Sequence, residues 1–236
     1  MGLPLYLAMT AAELSAAEAI PQKMAYMACH FSLYGTGLSN IPEQLPPGSL
    51  LILNDRTPVQ SHDPALVADQ LVSAAETLQV EGILLDLQRP GNPETAAIVR
   101  AVLEAVPCPV AVSPDYAQDH TCPVFLEPPP LHRSLEDHIA PWQGRQLWLE
   151  AALEAQSITV TAAGSTFAPL PYEAPEGVHH IEERLCCRYR LQLQEGQAEF
   201  TLLRAPEDLN SLLSQAEKLG ITRAVGLYQQ LGKFYL

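Results

Sequence analysis

Eight short apolar runs recur along the chain, at residues 3–9, 23–32, 49–58, 82–88, 109–116, 123–130, 145–152 and 222–232. Most do not alternate between polar and apolar residues, which is the pattern of strands buried on both faces. Several are separated by helical patterns. AAELSAAEA follows the first run, and an amphipathic segment from Pro64 carries Leu66, Val67, Leu71, Val72, Ala75 and Leu78 on one face. PETAAIVRAVLEAV follows the fourth run, and PEDLNSLLSQAEKLG precedes the last. A Gly/Pro loop, LYGTGLSNIPEQLPPG, separates the second run from the third. Eight such units predict a compact (β/α)8 TIM-like barrel occupying residues 1–236 as one domain. A doubly wound open sheet is the alternative, but no GxGxxG follows the first run, which disfavours its dinucleotide-binding form.

One region breaks the pattern. SITVTAAGSTFAPLP (157–171) and RLCCRYRLQLQEGQAEFTLLR (184–204) alternate in polarity, and Gln194-Glu195-Gly196-Gln197 reads as a turn between two amphipathic strands. These features predict a small antiparallel β insertion over residues 156–204, between the seventh and eighth barrel strands, with a polar, mobile linker, YEAPEGVHHIEE, inside it.

The formal net charge of -14, from 27 acidic and 13 basic residues, opposes contact with phosphate backbones and argues against nucleic acid. Uncharged polyols such as sugars are not repelled. No apolar stretch approaches the roughly 18–20 residues of a membrane span. The apolar start has no basic residues before it, and Glu13 and Glu18 follow too soon for a secretory signal, so a cytoplasmic location is expected. The five cysteines have no metal-ligand spacing and read as buried free thiols. His179-His180 lack a third ligand at useful spacing, and His30, beside Phe31 on an apolar run, reads as a core histidine. No metal or cofactor is expected.

In a barrel, the residues at the carboxyl ends of the strands line the site. Those ends carry His30 and Ser32, Asn54 and Asp55, Asp86 and Gln88, Asp115 and Tyr116, Glu127, Glu150, and Tyr228 and Gln229. Carboxylates stand at five of them. Any one could serve as a helix cap or as a partner for Arg56, Arg89 or Arg145, but together they point to a site.

EGILLDLQRPG (81–91) resembles the fourth-strand signature of the family-18 glycoside hydrolases, the chitinase-like group, DGxxxDxE followed by Tyr-Pro-Gly. Glu81 stands at the first Asp, Gly82 matches, Leu84 replaces the middle Asp, Asp86 matches the last, and Gln88 occupies the position of the catalytic Glu. Pro90-Gly91 match the tail. The closing segment, AEFTLLRAPEDLNSLLSQAEKLGITRAVGLYQQLG, also resembles the family's end. There Gly220, Leu231 and Gly232 fall in line, Tyr228 replaces a Trp, and Ala224 replaces a Gly. The nearest pattern is that of compact bacterial enzymes acting on spore-cortex peptidoglycan.

The resemblance implies substrate-assisted hydrolysis. A Glu would protonate the leaving oxygen, and the Asp two residues earlier would orient an N-acetyl group whose carbonyl attacks the anomeric carbon. On a strand, positions i and i+2 share a face, so Asp86 and Gln88 both look into the barrel. An amide has no proton to transfer near neutral pH, and the step it fails to supply is worth about 10²- to 10⁴-fold. The expectation is a barrel of lost or severely reduced hydrolase activity that binds an N-acetylated amino sugar or a peptidoglycan- or chitin-like glycan. Asp86 and Gln88 would hold the sugar with help from Asp55, Glu150, Tyr116, Tyr228 and Gln229, and Trp142 and Trp148 are further stacking candidates. Two alternatives stand beside it. A displaced acid, Glu127 before the rigid Pro128-Pro129-Pro130 or else Asp55, could run altered chemistry. A structural or interaction protein would instead have its site plugged. The sequence leaves the oligomeric state open.

Overall fold

The computed structural model describes residues 2–174, 176–177 and 179–235. In chain order, its elements begin with β1 (Leu5–Met9), α1 (Ala11–Ala16), β2 (Met24–Phe31), β3 (Leu38–Ser39), β4 (Leu50–Asn54), α2 (Pro64–Leu78) and β5 (Gly82–Asp86). They continue with α3 (Pro93–Ala105), β6 (Val110–Val112), α4 (Pro114–Ala117), β7 (Val124–Leu126), α5 (Leu135–Ile139) and β8 (Leu147–Ala151). Then come β9 (Glu154–Thr161), β10 (Gly164–Leu170), β11 (His180–Glu182), β12 (Cys187–Gln194), β13 (Gln197–Arg204), α6 (Pro206–Lys218), β14 (Arg223–Leu227) and α7 (Tyr228–Tyr235).

Eight parallel strands close into a barrel in the order β1-β2-β4-β5-β6-β7-β8-β14, with β14 pairing back onto β1. Each apolar run supplies one of them. Helices α2 and α3 start where the sequence signals a start. Asp63 caps α2 and Asn92 caps α3, each through a side-chain oxygen, and each helix has Pro in its first turn. The buried face of α2 is Val67, Ala68, Leu71, Ala74, Ala75 and Leu78. Leu66, expected on that face, is 39% exposed, because it lies about 100° around the helix from Val67. Between β2 and β4 the Gly/Pro loop forms no helix; it returns through β3, which pairs antiparallel with β2.

Alternate residues fill the barrel. Tyr6 and Ala8, Ala25, Leu50 and Ile52, Leu84, Ala111, Trp148 and Val225 form a closed interior cluster, while their strand neighbours pack outward against the helices. Trp148 is fully buried in this interior, so it is core and not a sugar platform. Burying an aromatic side chain of roughly 200 Å² contributes on the order of 5 kcal/mol as an upper bound. The strand opposite must leave room for it. A Cβ on Gly82 would lie 2.9 Å from Trp148 Cη2 and 3.1 Å from Leu50 Cδ2, which explains a glycine at the start of β5.

The alternating region forms a five-stranded antiparallel sheet, ordered β10-β9-β13-β12-β11, between β8 and β14. Glu195 and Gly196 make the expected turn, with Gly196 at positive φ. The expected linker ends in β11; Pro175 and Val178 lie outside the described residues. One face of the sheet packs Cys187 and Leu202, with Ile158, Tyr189 and Phe200, onto Leu131 in the segment after β7. Arg204, fully buried at the end of β13, fastens the sheet to the barrel. Its guanidinium donates to Glu154 Oε2 (2.5 Å), the Pro129 carbonyl (3.0 Å) and the Cys186 carbonyl (3.3 Å). Cys29, Cys186 and Cys187 are buried thiols, whereas Cys108 and Cys122 are only partly buried. Among the described residues, no helix is long and apolar enough to cross a membrane.

Candidate functional site

A cavity of about 620 Å³ opens at the carboxyl ends of the barrel strands. Leu84, Asp86 and Gln88 line it in sequence, which is the i, i+2 alternation expected of β5 and its extension. Asn54, Asp55, Phe125, Glu150 and Leu227 contribute from neighbouring strand ends, and Thr10 and Asn40 from the loops after β1 and β3.

Gln88 turns its amide onto Asp86. Nε2 donates to Asp86 Oδ1 at 3.1 Å and lies 3.4 Å from Oδ2. Burial pushes the Asp86 carboxyl above the usual carboxylate range. The Gln88 hydrogen bond opposes that rise, and the charges of Asp55 and Glu127 add to it. The pair therefore presents to the cavity an acceptor with raised basicity and an amide donor.

Asp55 holds this arrangement in place. It is buried, and its two carboxylate oxygens accept the backbone N–H groups of Gln88 (3.1 Å) and Arg89 (2.8 Å). Arg89 returns the contact, donating from Nε to the Asp55 carbonyl (2.7 Å) and from Nη2 to the Arg56 carbonyl (2.9 Å). The loop after β5 is thus bolted to the loop after β4. Asp55 borders the cavity, and each of its carboxylate oxygens already accepts a backbone N–H.

Glu150 differs. Burial, reinforced by the charges of Asp86, Glu127 and Glu154, raises its carboxyl to about 7. A carboxyl of that kind holds a proton part of the time near neutrality. Glu127 follows β7 on the same face as Phe125. Its side chain is exposed, and its backbone carbonyl accepts a hydrogen bond from His138 Nε2 at 3.0 Å. Burial lowers the pKa of His138, so its ring stays neutral at physiological pH.

Glu127 and the remaining sequence candidates lie outside the cavity lining. Tyr116 is buried on α4, its hydroxyl 3.5 Å from where a Cβ on Gly91 would sit. Tyr228 opens α7 and lays its ring against Gly232, 3.0 Å from a Cβ built there. Gln229 is exposed on α7, and it is Gln230 that is engaged, through two 2.8 Å hydrogen bonds to the Leu153 backbone. Sequence reasoning missed Gln230, and also Phe125, Thr10 and Asn40. Phe125 was recoverable, because it stands two residues before Glu127. Among the described residues, no group of three His, Cys, Asp or Glu side chains could hold a metal ion. His180 instead stacks on Tyr189, with ring centroids 5.2 Å apart.

No protein-family model matches the sequence, and no curated protein matches it. Solved structures do match in fold. The spore cortex-lytic enzyme SleL of Bacillus cereus superposes with a TM-score of 0.54 at 8% identity, covering 95% of this chain and 70% of that one. A chitinase from Chromobacterium violaceum gives 0.53 at 8% identity, over 95% of this chain and 93% of that one. A GH18 chitinase from Cycas revoluta gives 0.54 at 9% identity, over 95% and 94%. That last protein was solved as a double mutant, one change being Glu to Gln, in complex with (GlcNAc)4. The chain has a GH18-like fold, a (β/α)8 barrel with an added antiparallel sheet.

Proposed function

We propose that this barrel binds an N-acetylated amino-sugar glycan in the cavity at its strand ends and hydrolyses it slowly or not at all. The observation that carries the reading is Gln88. Its amide lines the cavity and is bonded to Asp86, at the position where the resemblance to family-18 enzymes calls for a proton donor. An amide and a carboxylate side by side suit an acetamido group, which needs one acceptor for its N–H and one donor for its carbonyl. A neighbour of the same fold holds (GlcNAc)4 in a form carrying a Glu-to-Gln change, which is consistent with binding that outlasts loss of a carboxyl. A cavity of this size counts against a plugged, purely structural barrel.

One observation favours a second reading. Glu150, raised to about 7, has the proton affinity of a general acid and could protonate a leaving oxygen in place of Gln88. It fits that role better than Asp55, whose oxygens are committed to the backbone. Calorimetric titration of the whole chain with (GlcNAc)4, followed by chromatography of the mixture, separates the two. Saturable binding with the tetramer recovered intact supports the binding protein. Turnover that Glu150→Gln abolishes would replace that reading with the displaced acid, and absence of both binding and turnover would overturn both.

A further inference from the structure

The inserted sheet ends in β10, which bonds only to β9 and has all seven of its residues exposed. Among the described residues, no backbone group pairs with its outer side. An edge of this kind is a template for further pairing, and proteins ordinarily blunt it with charged side chains. The opposite edge, β11, is three residues long and carries His180 and Glu182. The β10 edge has no such guard. From Ala155 to Tyr172 the chain contains no Asp, Glu, Lys, Arg or His, although its net charge is -14. We propose that two copies of this chain pair through β10, edge to edge and antiparallel, about a two-fold axis at Phe167.

The backbone sets the register. Thr161 pairs with Gly164 across the two-residue turn Ala162-Ala163, which makes them a hydrogen-bonded pair. Backbone groups alternate from there, so Ser165, Phe167 and Pro169 turn theirs outward. Pro169 agrees, because a proline on an edge strand sets its missing N–H to the free side. It removes one donor and leaves the N–H groups of Ser165 and Phe167 pointing outward. Phe167 is the middle residue of Gly164–Leu170. A two-fold axis there sets it against Phe167 of the partner subunit, with two reciprocal backbone hydrogen bonds. Ser165 N–H then faces the carbonyl of the partner subunit's Pro169. An axis at Pro169 would lack the central donors, and one at Ser165 would run each strand into the other's turn.

Side chains and charge favour the same arrangement. Phe167, Ile158, Phe200 and Leu191 lie side by side across β10, β9, β13 and β12. Phe167 is 51% exposed, and its ring rests beside His132, with centroids 4.6 Å apart. The two-fold axis joins this row to its own copy, with an aromatic cross-strand pair at the centre. Two chains of charge -14 repel over most of their surface, and the neutral hairpin of β9 and β10 is where they can meet without like charges. A basic partner would gain nothing from that strip and would be drawn to the acidic surface elsewhere. Pairing consumes the β10 edge of both copies, so assembly closes at two.

Sedimentation velocity of the whole chain over a concentration series tests this. A seven-residue strand pair is a small interface, so a reversible dimer with a dissociation constant on the order of 10 µM is expected. Because the remaining surfaces repel, the dimer should tighten as salt rises to about 0.5 M. Phe167→Lys should weaken it at least about tenfold even though the chain becomes less acidic, because like charges would then face each other at the axis. Phe167→Cys tests the register by a gain. Cα atoms of a directly opposed hydrogen-bonded pair stand about 5.5 Å apart, within disulfide range, so mild oxidation should yield a covalent dimer. Ser165→Cys, four residues out of register with its own copy, should not crosslink. A mass that stays monomeric to about 1 mM would overturn the proposal and leave the edge to a strand of a different protein. A dimer untouched by Phe167→Lys, crosslinking through position 165 in preference to 167, or assemblies larger than two would each overturn it as well.

Discussion

Replacing Gln88 by Glu puts a carboxylate where an amide now stands 3.1 Å from Asp86 Oδ1. Two unit charges at that distance repel by about 1 kcal/mol at the dielectric of water and about 5 kcal/mol at an effective value of 20. Gln88 is exposed, so the lower figure governs, and the upper apparent pKa of the pair should rise by about one unit. The variant also loses a hydrogen bond to a charged group, worth about 1.5 kcal/mol at the low end. The sign follows from linkage. Folded-state pKa values lie above their unfolded values, so the pair binds more protons when folded. Its stability is then fullest in acid and is lost as pH rises through the folded pKa. Gln88→Glu should therefore cost about 2–3 kcal/mol near pH 8 and less near pH 5, as read by urea unfolding of both proteins at both pH values. The same substitution restores a proton carrier, and release from a fluorogenic chitooligosaccharide should rise about 10²-fold or more. A stability difference that does not change between the two pH values would refute the proximity of the two groups. Absent turnover despite the expected pH dependence would refute the assignment of position 88 to the acid.

Two further outcomes follow from the same geometry. Glu150 has a folded value of about 7, above its ordinary value of 4.5, so it costs stability as pH rises across that window. Glu150→Gln should remove that loss, up to about 3 kcal/mol, and flatten the dependence of urea midpoints between about pH 5 and 8. Gly82→Ala should destabilise by roughly 1–3 kcal/mol by pressing on Trp148, Leu50 and the Pro109 carbonyl, with an altered near-ultraviolet signal from the indole.

Much of the frame was legible because strands buried on both faces announce themselves as unbroken apolar runs. All eight barrel strands arose where such runs were read, and the alternating segments became the inserted sheet. The boundary of that sheet was less visible. It begins at Glu154, because Glu154 pairs with Arg204 across β9 and β13, a contact between residues 50 apart that no local pattern encodes. The site was legible in part for a related reason. Strand parity aligned Asp86 with Gln88 and Phe125 with Glu127, but parity does not reveal which carboxylates are already spent. Asp55 and Glu150 look alike in sequence as acidic residues at strand ends. Only the loop geometry distinguishes them, occupying Asp55 with two backbone donors and, among the described residues, leaving Glu150 with none. Tyr228 and Gln229 sit past the last strand, where the chain has already turned into α7, and periodicity could not place that turn.

The Arg204 clasp bears on how freely the inserted sheet could be exchanged or deleted. Cutting out residues 156–204 would leave Glu154 and the Pro129 carbonyl behind without their shared guanidinium. Phe125, which lines the cavity, stands four residues before Pro129, so a deletion remote from the cavity would loosen a segment that reaches it. A grafted replacement would need a basic residue at the same exit from its final strand. The inserted sheet is thus a transplantable part only together with its fastening, and loop-swapping libraries built on this barrel should hold position 204 constant.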